Sequence, residues 1–88
     1  MSSIDQIYLL FEKTGFEKMT INEKVLFHKD NRYHQVTFVK ELNAYIIESA
    51  EGMKEVNNNR FEDSDIYPLS LNEDLLNTIY ADLVRYYS

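Results

Sequence analysis

Residues 25–38 have the sequence VLFHKDNRYHQVTF, in which two apolar segments flank the dipeptide Asp30-Asn31. Alternation of apolar and other residues with a period of two is typical of β-strands. It occurs on both sides of the dipeptide, at Val25 and Phe27 before it and at Val36 and Phe38 after it. Aspartate and asparagine tolerate the backbone angles of a tight turn. The segment therefore predicts a β-hairpin.

A second turn, at residues 41–43, joins this hairpin to a further alternating segment. The two turns predict four opposing pairs, namely Val25 with Val36, Phe27 with His34, Phe38 with Tyr45 and Val36 with Ile47. Both registers place the same residues on one face, as a stable sheet requires. Met19 and Ile21 alternate in the same way upstream, so residues 16–49 predict a meander of antiparallel strands.

The other face of the predicted sheet mixes apolar and polar side chains. These are Leu26, Tyr33, Thr37, Val39, Ala44 and Ile46, together with His28 and Gln35. A face open to solvent normally carries more charge than this. Either another element covers part of the face, or the face is a contact surface.

The N-terminal residues predict an amphipathic helix. Ser3 and Gln6 have the spacing of a capping box, in which two side chains satisfy free backbone N–H groups at a helix start. The apolar stripe of this helix comprises Ile4, Ile7, Tyr8 and Phe11. Gly15 favours the left-handed backbone that ends a helix, and this ending predicts that Phe16 packs back on Phe11.

The C-terminal residues predict a second amphipathic helix, whose start has two alternatives. Ser70 and Glu73 have capping-box spacing, whereas Asn72 could be the cap if Leu71 packs against Leu76. The apolar stripe comprises Leu75, Leu76, Ile79, Tyr80, Leu83 and Tyr87.

The segment between the meander and the last helix is less regular. Residues 50–60 form either a short helix capped by Ser49 or a loop, because Gly52 and three consecutive asparagines oppose a long helix. An acidic loop follows, Glu62-Asp63-Ser64-Asp65, and then an edge segment that contains Pro68.

Together these elements predict an α+β fold in a single domain over residues 1–88, a length typical of one domain. The sheet is expected to be small, mostly antiparallel and built from three to five strands. The N- and C-terminal amphipathic helices are expected to pack on one of its faces.

Composition excludes several classes of function. The chain has no cysteine, which removes disulfides, thiolate metal sites and cysteine nucleophiles. Its net charge is −6 and its nine Lys and Arg residues are scattered, so we expect no direct binding to nucleic acid or to anionic membranes. No signal peptide or membrane-spanning run is visible. These features predict a cytoplasmic protein.

Catalytic and metal-binding patterns are weak. The acidic residues around Asp63 lack EF-hand spacing, since Tyr67-Pro68 stand where a further ligand and a glycine are needed. His28 and His34 fall on opposite faces of the predicted hairpin, and no cysteine completes a zinc site. We therefore expect no catalytic residues, no cofactor and no metal. The histidines are expected to be structural, one at a strand end and the other at the surface beside Tyr33.

Tyrosine is abundant, with seven residues, and it is enriched at protein interfaces because a rigid apolar ring carries a polar tip. Tyr8, Tyr45 and Tyr80 fall on predicted core positions. Three other tyrosines join the acidic loop as candidate partner-binding residues, which gives the set Glu62, Asp63, Asp65, Tyr67, Tyr33 and Tyr86.

The segments YIIESAE (residues 45–51) and NRFEDSDIYPL (residues 59–69), followed by an amphipathic helix, resemble small acidic immunity proteins. Those proteins belong to the polymorphic toxin systems of low-GC Gram-positive bacteria. The resemblance covers about the C-terminal half of the chain. It implies a non-enzymatic cytoplasmic protein that binds and neutralises a partner protein, such as a basic toxin or nuclease. Small phage-encoded inhibitors of host defence nucleases are similarly acidic and compact.

The alternative function is that of a small self-associating housekeeping or regulatory protein. Such a protein would form a homodimer through the mixed sheet face around Leu26, Val39 and Ile46, or through the edge segment near Pro68.

Overall fold

The computed structural model describes residues 3–85 of the chain. In chain order these residues form α1 (Ser3–Lys13), β1 (Glu17–Ile21), β2 (Lys24–Lys29), β3 (Arg32–Val39), a 3-10 helix (Lys40–Leu42), β4 (Ala44–Glu51), α2 (Met53–Asn57), β5 (Asp63–Pro68), a second 3-10 helix (Leu69–Leu71) and α3 (Asp74–Arg85). The five strands form one antiparallel sheet in the order β1-β2-β3-β4-β5. The predicted α+β fold is confirmed.

Residues with left-handed backbone close the tight turns of the meander. Asp30, at the predicted turn between β2 and β3, has a φ of 57°, and Asn43, before β4, has a φ of 49°. Asn22 and Glu23 lie between β1 and β2 with φ values of 51° and 68°. Aspartate and asparagine adopt this conformation more readily than most residues. The positions of these residues therefore fix where the chain reverses.

Three of the four predicted strand pairs are confirmed, namely Phe27 with His34, Val36 with Ile47 and Phe38 with Tyr45. The predicted pairing of Val25 with Val36 is wrong, because the ladder between β2 and β3 ends at Phe27. Beyond that point β2 continues to pair with β1, and β3 continues to pair with β4. The two strands diverge and leave a cleft between them.

The two longer helices pack on one face of the sheet, as predicted. The buried residues there are Ile7, Phe11 and Phe16, then Phe27, Val36, Tyr45, Ile47 and Tyr67 from the strands, and Leu75, Ile79 and Leu83 from α3. The ring of Phe11 stacks on that of Phe27, with centroids 4.5 Å apart and planes inclined by 12°. The apolar stripes of the two helices, which repeat every 3.6 residues, thus pack against every second residue of the strands. We call this side of the sheet the helical face.

Helix α1 ends as its sequence predicts. Gly15 has a φ of 97°, and the N–H of Phe16 donates to the carbonyl of Phe11 at 3.0 Å. The rings of Phe16 and Phe11 then meet edge to face, with centroids 5.1 Å apart. The left-handed glycine turns the chain so that its next side chain enters the core.

Helix α2 covers part of the opposite face, which we call the back face. Its Val56 is buried with Leu26 and Ala50, and a ring of half-buried residues surrounds them, namely Met19, Ile21, Tyr33, Met53 and Phe61. Of the two alternatives predicted for this face, cover by another element is the one observed around Leu26. At the other end of the same face Ile66 is 57% exposed, and no helix within residues 3–85 packs over it.

The predicted helix caps in the second half of the chain are wrong. Ser49 lies inside β4, and Gly52 is the N-cap of α2. Helix α3 begins at Asp74, so neither Ser70 nor Asn72 directly precedes it. A 3-10 helix occupies the segment in which the capping box was expected.

Two further predictions need correction. The acidic segment from Asp63 is strand β5 rather than a loop, because it pairs with β4 from Ser49 to Ala44. Tyr80, predicted to be in the core, is 48% exposed, since it lies at the margin of the stripe that α3 buries. Tyr87 lies outside the described residues.

The Gly15 turn predicts a measurable cost of adding a side chain. Gly15→Ala forces a Cβ into a left-handed backbone and should lower the free energy of unfolding by about 1 kcal/mol. Urea denaturation followed by circular dichroism measures this loss. Lys13→Ala, an exposed change in the last turn of α1, is the control and should leave stability almost unchanged. Equal stabilities of the two variants would contradict the role of Gly15.

Candidate functional site

The three acidic residues of the predicted site lie together at one edge of the sheet. Asp63 and Asp65 are two positions apart on β5, so both side chains project from the helical face, and Glu62 directly precedes the strand. All three residues are exposed. Asp63 Oδ2 accepts a hydrogen bond from Arg32 Nη2 at 3.3 Å, in an ion pair whose side chains are 74% and 38% exposed, respectively. Exposed pairs of this kind contribute little to stability.

Tyr67 was predicted to be a surface contact residue, and that prediction is wrong. It is only 3% exposed, because it lies opposite Tyr45 on the helical face, where α3 covers it. Its hydroxyl donates to Asp82 Oδ2 of α3 at 2.7 Å. Tyr67 therefore ties the edge strand to α3, and a partner cannot reach its ring without displacing the helix.

Of the other two predicted tyrosines, Tyr33 does not join the acidic residues. Tyr33 is half-buried on the back face, where its ring stacks on His28 with centroids 4.5 Å apart and planes inclined by 18°. It also packs against the cluster around Leu26 and Val56. Tyr86 lies outside the described residues, so the structure does not place it.

His34 is completely buried, contrary to the prediction that one histidine lies at a strand end and the other at the surface. Its Nδ1 and Oγ of Ser49, directly opposite on β4, are 2.7 Å apart and share a hydrogen bond. The rings of Phe16 and Phe11 lie against it, at centroid distances of 5.2 and 6.1 Å. Burial, followed by the nearby charge of Arg32, lowers the pKa of His34 to about 4. The imidazole is therefore neutral at neutral pH.

Charge is unevenly distributed along the chain. Between residues 41 and 74, Asp and Glu outnumber Lys and Arg by nine to two: Glu41, Glu48, Glu51, Glu55, Glu62, Asp63, Asp65, Glu73 and Asp74 against Lys54 and Arg60. Between residues 13 and 40, Lys and Arg outnumber Asp and Glu by six to three. Because strand order follows chain order, the acidic half contains β4 and β5 and the basic half contains β1 to β3.

We call a group of exposed carboxylates at the β5 side of the sheet the acidic edge. It comprises Glu51 of β4, which shares the helical face with Asp63 and Asp65, and Glu62, which directly precedes β5. Beside it on the back face lies a group of apolar side chains, the apolar strip, formed by Val39, Ile46 and Ile66. Ile66 was not among the predicted site residues, although it alternates with Asp63 and Asp65 along the chain. Such alternation already indicates a strand with one acidic side and one apolar side.

The diverging strands β2 and β3 enclose an open cleft of about 360 Å³. Its lining residues are Tyr8, Lys24, Val25, Gln35, Val36, Thr37 and Asn59. Lys24 Nζ donates to Asn59 Oδ1 at 3.0 Å. Burial, followed by the charge of Asp5, raises the pKa of Tyr8. The cleft thus offers amide, hydroxyl and ammonium groups for hydrogen bonding, but its lining includes no carboxylate or histidine to act as a base.

Among the described residues, no three His, Cys, Asp or Glu side chains are arranged to hold a metal ion. None of the helices in residues 3–85 combines the length and the hydropathy that crossing a membrane requires. Comparison of the chain with protein-family models, with curated proteins and with solved structures gave no match.

The buried histidine predicts how stability depends on pH. Because the folded pKa of about 4 lies below the unfolded value of about 6.5, the unfolded state binds the proton first. The contribution of His34 is complete above the unfolded value and is lost as pH falls through this window. It should amount to about 2 kcal/mol between pH 7 and pH 5.

Urea denaturation at the two pH values measures this loss, and His34→Gln, which does not titrate, should show a smaller one. NMR titration of the imidazole in the folded wild type reports its pKa directly. An imidazole that titrates near pH 6.5 would contradict the assignment.

The link between β5 and α3 predicts a second stability effect. Tyr67→Phe removes the hydroxyl that donates to Asp82 and should lower the free energy of unfolding by about 1–2 kcal/mol. A double-mutant cycle with Asp82→Ala isolates the coupling of the two side chains. Tyr45→Phe is the matched control on the neighbouring strand. Additive effects of Tyr67→Phe and Asp82→Ala would show that the hydrogen bond contributes nothing.

Proposed function

We propose that the protein is a non-enzymatic protein-binding module, an immunity or inhibitor protein that neutralises a basic partner, such as a toxin or nuclease, in the bacterial cytoplasm. The observation that carries this proposal is the acidic edge, where Glu51 of β4 shares the helical face with Asp63 and Asp65 of β5, and Glu62 directly precedes β5. A negatively charged surface attracts a positively charged partner, accelerates its association and favours its correct orientation.

The support for this surface is rigid. β5 pairs with β4 over six residue pairs, and Tyr67 fastens it to α3. A surface on paired strands presents its charges in a fixed geometry, so a partner pays less ordering entropy than it would on a loop. Strand β5 therefore provides a preformed surface, whereas a loop in its place would have to become ordered on binding.

The buried Ser49 and His34 also support a non-enzymatic role. Their atoms are close enough for a nucleophile and its base. Both side chains are closed to solvent, however, with aromatic rings of Phe11 and Phe16 against the imidazole. A substrate cannot reach the hydroxyl, so the pair is suited to holding strands together.

A second candidate function is self-association as a small housekeeping or regulatory protein. The apolar strip favours it, because Ile66 is exposed beside the half-buried Ile46 and Val39. Exposed apolar groups of this kind mark contact surfaces when they are contiguous. Light scattering over a range of concentrations tests this alternative, since a dimer gives twice the monomer mass and dissociates on dilution.

Charge neutralisation tests the binding function. A variant with Glu62→Gln, Asp63→Asn and Asp65→Asn loses three charges from the acidic edge and should retain basic host proteins at least ten-fold less than the wild type at low salt. The matched control carries Glu12→Gln, Glu17→Gln and Glu23→Gln, three exposed carboxylates of α1, β1 and the following turn. It should retain the same proteins as the wild type.

Affinity purification with immobilised wild type and both variants, read by quantitative mass spectrometry, makes this comparison. Retained proteins should be released by salt, because exposed charges are screened. If no protein is retained by the wild type, or if both variants lose binding equally, the acidic edge is not the binding surface.

A further inference from the structure

Strand β5 is an open edge of the sheet. Within residues 3–85 it pairs with β4 alone, and β1 is the other edge. An edge strand presents a row of backbone N–H and C=O groups to which another strand can bind. The chemistry of the side chains beside that row then determines which segment fits.

The register identifies the outward backbone groups of β5. Leu69 N–H donates to the carbonyl of Asn43 at 2.9 Å, just beyond the pair of Pro68 with Ala44. Since antiparallel residues alternate between bonding to a neighbour and pointing away from it, Ser64 and Ile66 direct their N–H and C=O groups outward. Pro68 falls on the same outward set, which suits a residue without an N–H.

The two sides of β5 differ in chemistry. Asp63 and Asp65 project on the helical face, whereas Ser64 and Ile66 project on the back face, where Ile66 extends the apolar strip. A strand added beside β5 would meet carboxylates on one side and an exposed isoleucine on the other. Cross-strand pairs of opposite charge and of apolar side chains are the stabilising ones.

The opposite edge does not offer the same site. On β1, the exposed Lys18 lies over the ring of Tyr8, with Nζ 5.5 Å from the ring centroid. Met19 and Ile21 already pack against the cluster that α2 covers. A basic segment would meet one lysine and one glutamate, Lys18 and Glu17, at β1, but two aspartates at β5, so charge favours β5.

Charge disfavours a second copy of this chain at β5 in two of the three central registers. In an antiparallel pairing of two β5 strands centred between Ser64 and Ile66, Asp65 would lie opposite its own equivalent. Centred on Ser64, the pairing would set Asp65 opposite Asp63. Like charges directly opposite each other destabilise a sheet. In the third, centred on Ile66, Ser64 would lie opposite Pro68, which has no N–H to donate.

We propose, on the basis of the proposed function, that the partner contributes an extended segment that adds to β5 as a sixth strand. This segment alternates basic and apolar side chains. Its Lys or Arg residues lie beside Asp63 and Asp65, and its apolar residues lie beside Ile66 and the apolar strip. Backbone hydrogen bonds at Ser64 and Ile66 join the two strands.

The test uses the isotopically labelled 88-residue chain and a blocked nine-residue peptide of alternating Lys and Val. A second peptide has the same sequence and charge but is N-methylated at every backbone amide. Strand addition predicts chemical-shift changes and slowed amide-hydrogen exchange at Ser64 and Ile66, and at least ten-fold weaker binding of the methylated peptide. A third peptide, of alternating Glu and Val, should not bind.

Two protein variants make the same distinction. Ile66→Pro removes an outward N–H while leaving the ladder to β4 intact, and should weaken peptide binding at least ten-fold relative to Ile66→Ala. Circular dichroism confirms that both variants fold, and Ser64→Pro replaces Ile66→Pro if the latter does not.

Equal binding of the plain and methylated peptides, with shifts scattered over the acidic edge, would overturn strand addition but leave charge-mediated binding intact. No shift at β5 with either peptide would also overturn it. Concentration-dependent shifts at β5 without peptide would assign the edge to a second copy of the chain. The proposed function itself fails only in the affinity comparison of the charge-neutralised variants.

Discussion

The packing of α1 and α3 against a single face of the sheet is the constraint on which the rest of the structure depends. Phe11 is its centre, because its ring stacks on Phe27, meets Phe16 edge to face and lies against His34. A protein of 88 residues has a small interior, so only a few side chains contribute most of its buried apolar area. The end of α1 and the closure of the histidine from water both depend on these few aromatic contacts.

Sequence periodicity predicted those parts of the fold that depend on neighbouring residues. The turns at Asp30 and Asn43 and the glycine end of α1 each have a local cause, and the pairing of Phe27 with His34 follows from the turn length. The ladder between β2 and β3 stops short of Val25, where each strand pairs with its other neighbour instead. A pattern of period two does not determine where a ladder between two strands ends.

The candidate site likewise contains residues that the local sequence predicts and residues that it does not. The exposure of Glu62, Asp63 and Asp65 follows from their charge, and the sequence was sufficient to find them. Tyr67 and His34 could not be placed, because their burial is decided by elements far along the chain. Tyr67 is covered by α3, and His34 by the end of α1 with Phe16. Alternation assigns a side chain to a face, but only packing decides which face is closed.

The hydrogen bond between His34 and Ser49 has a consequence for how the chain selects its alignment. The two residues lie directly opposite each other on β3 and β4, which form the longest ladder of the sheet. A slip of the strands by two positions would keep every side chain on its proper side, so hydrophobic matching alone discriminates poorly against it. It would, however, set the imidazole of His34 opposite Ile47 or Glu51 and separate it from the hydroxyl of Ser49, so the hydrogen bond between the two buried groups would be lost. The pair of His34 and Ser49 thus specifies the register of β3 and β4, which the apolar side chains alone would specify less strictly.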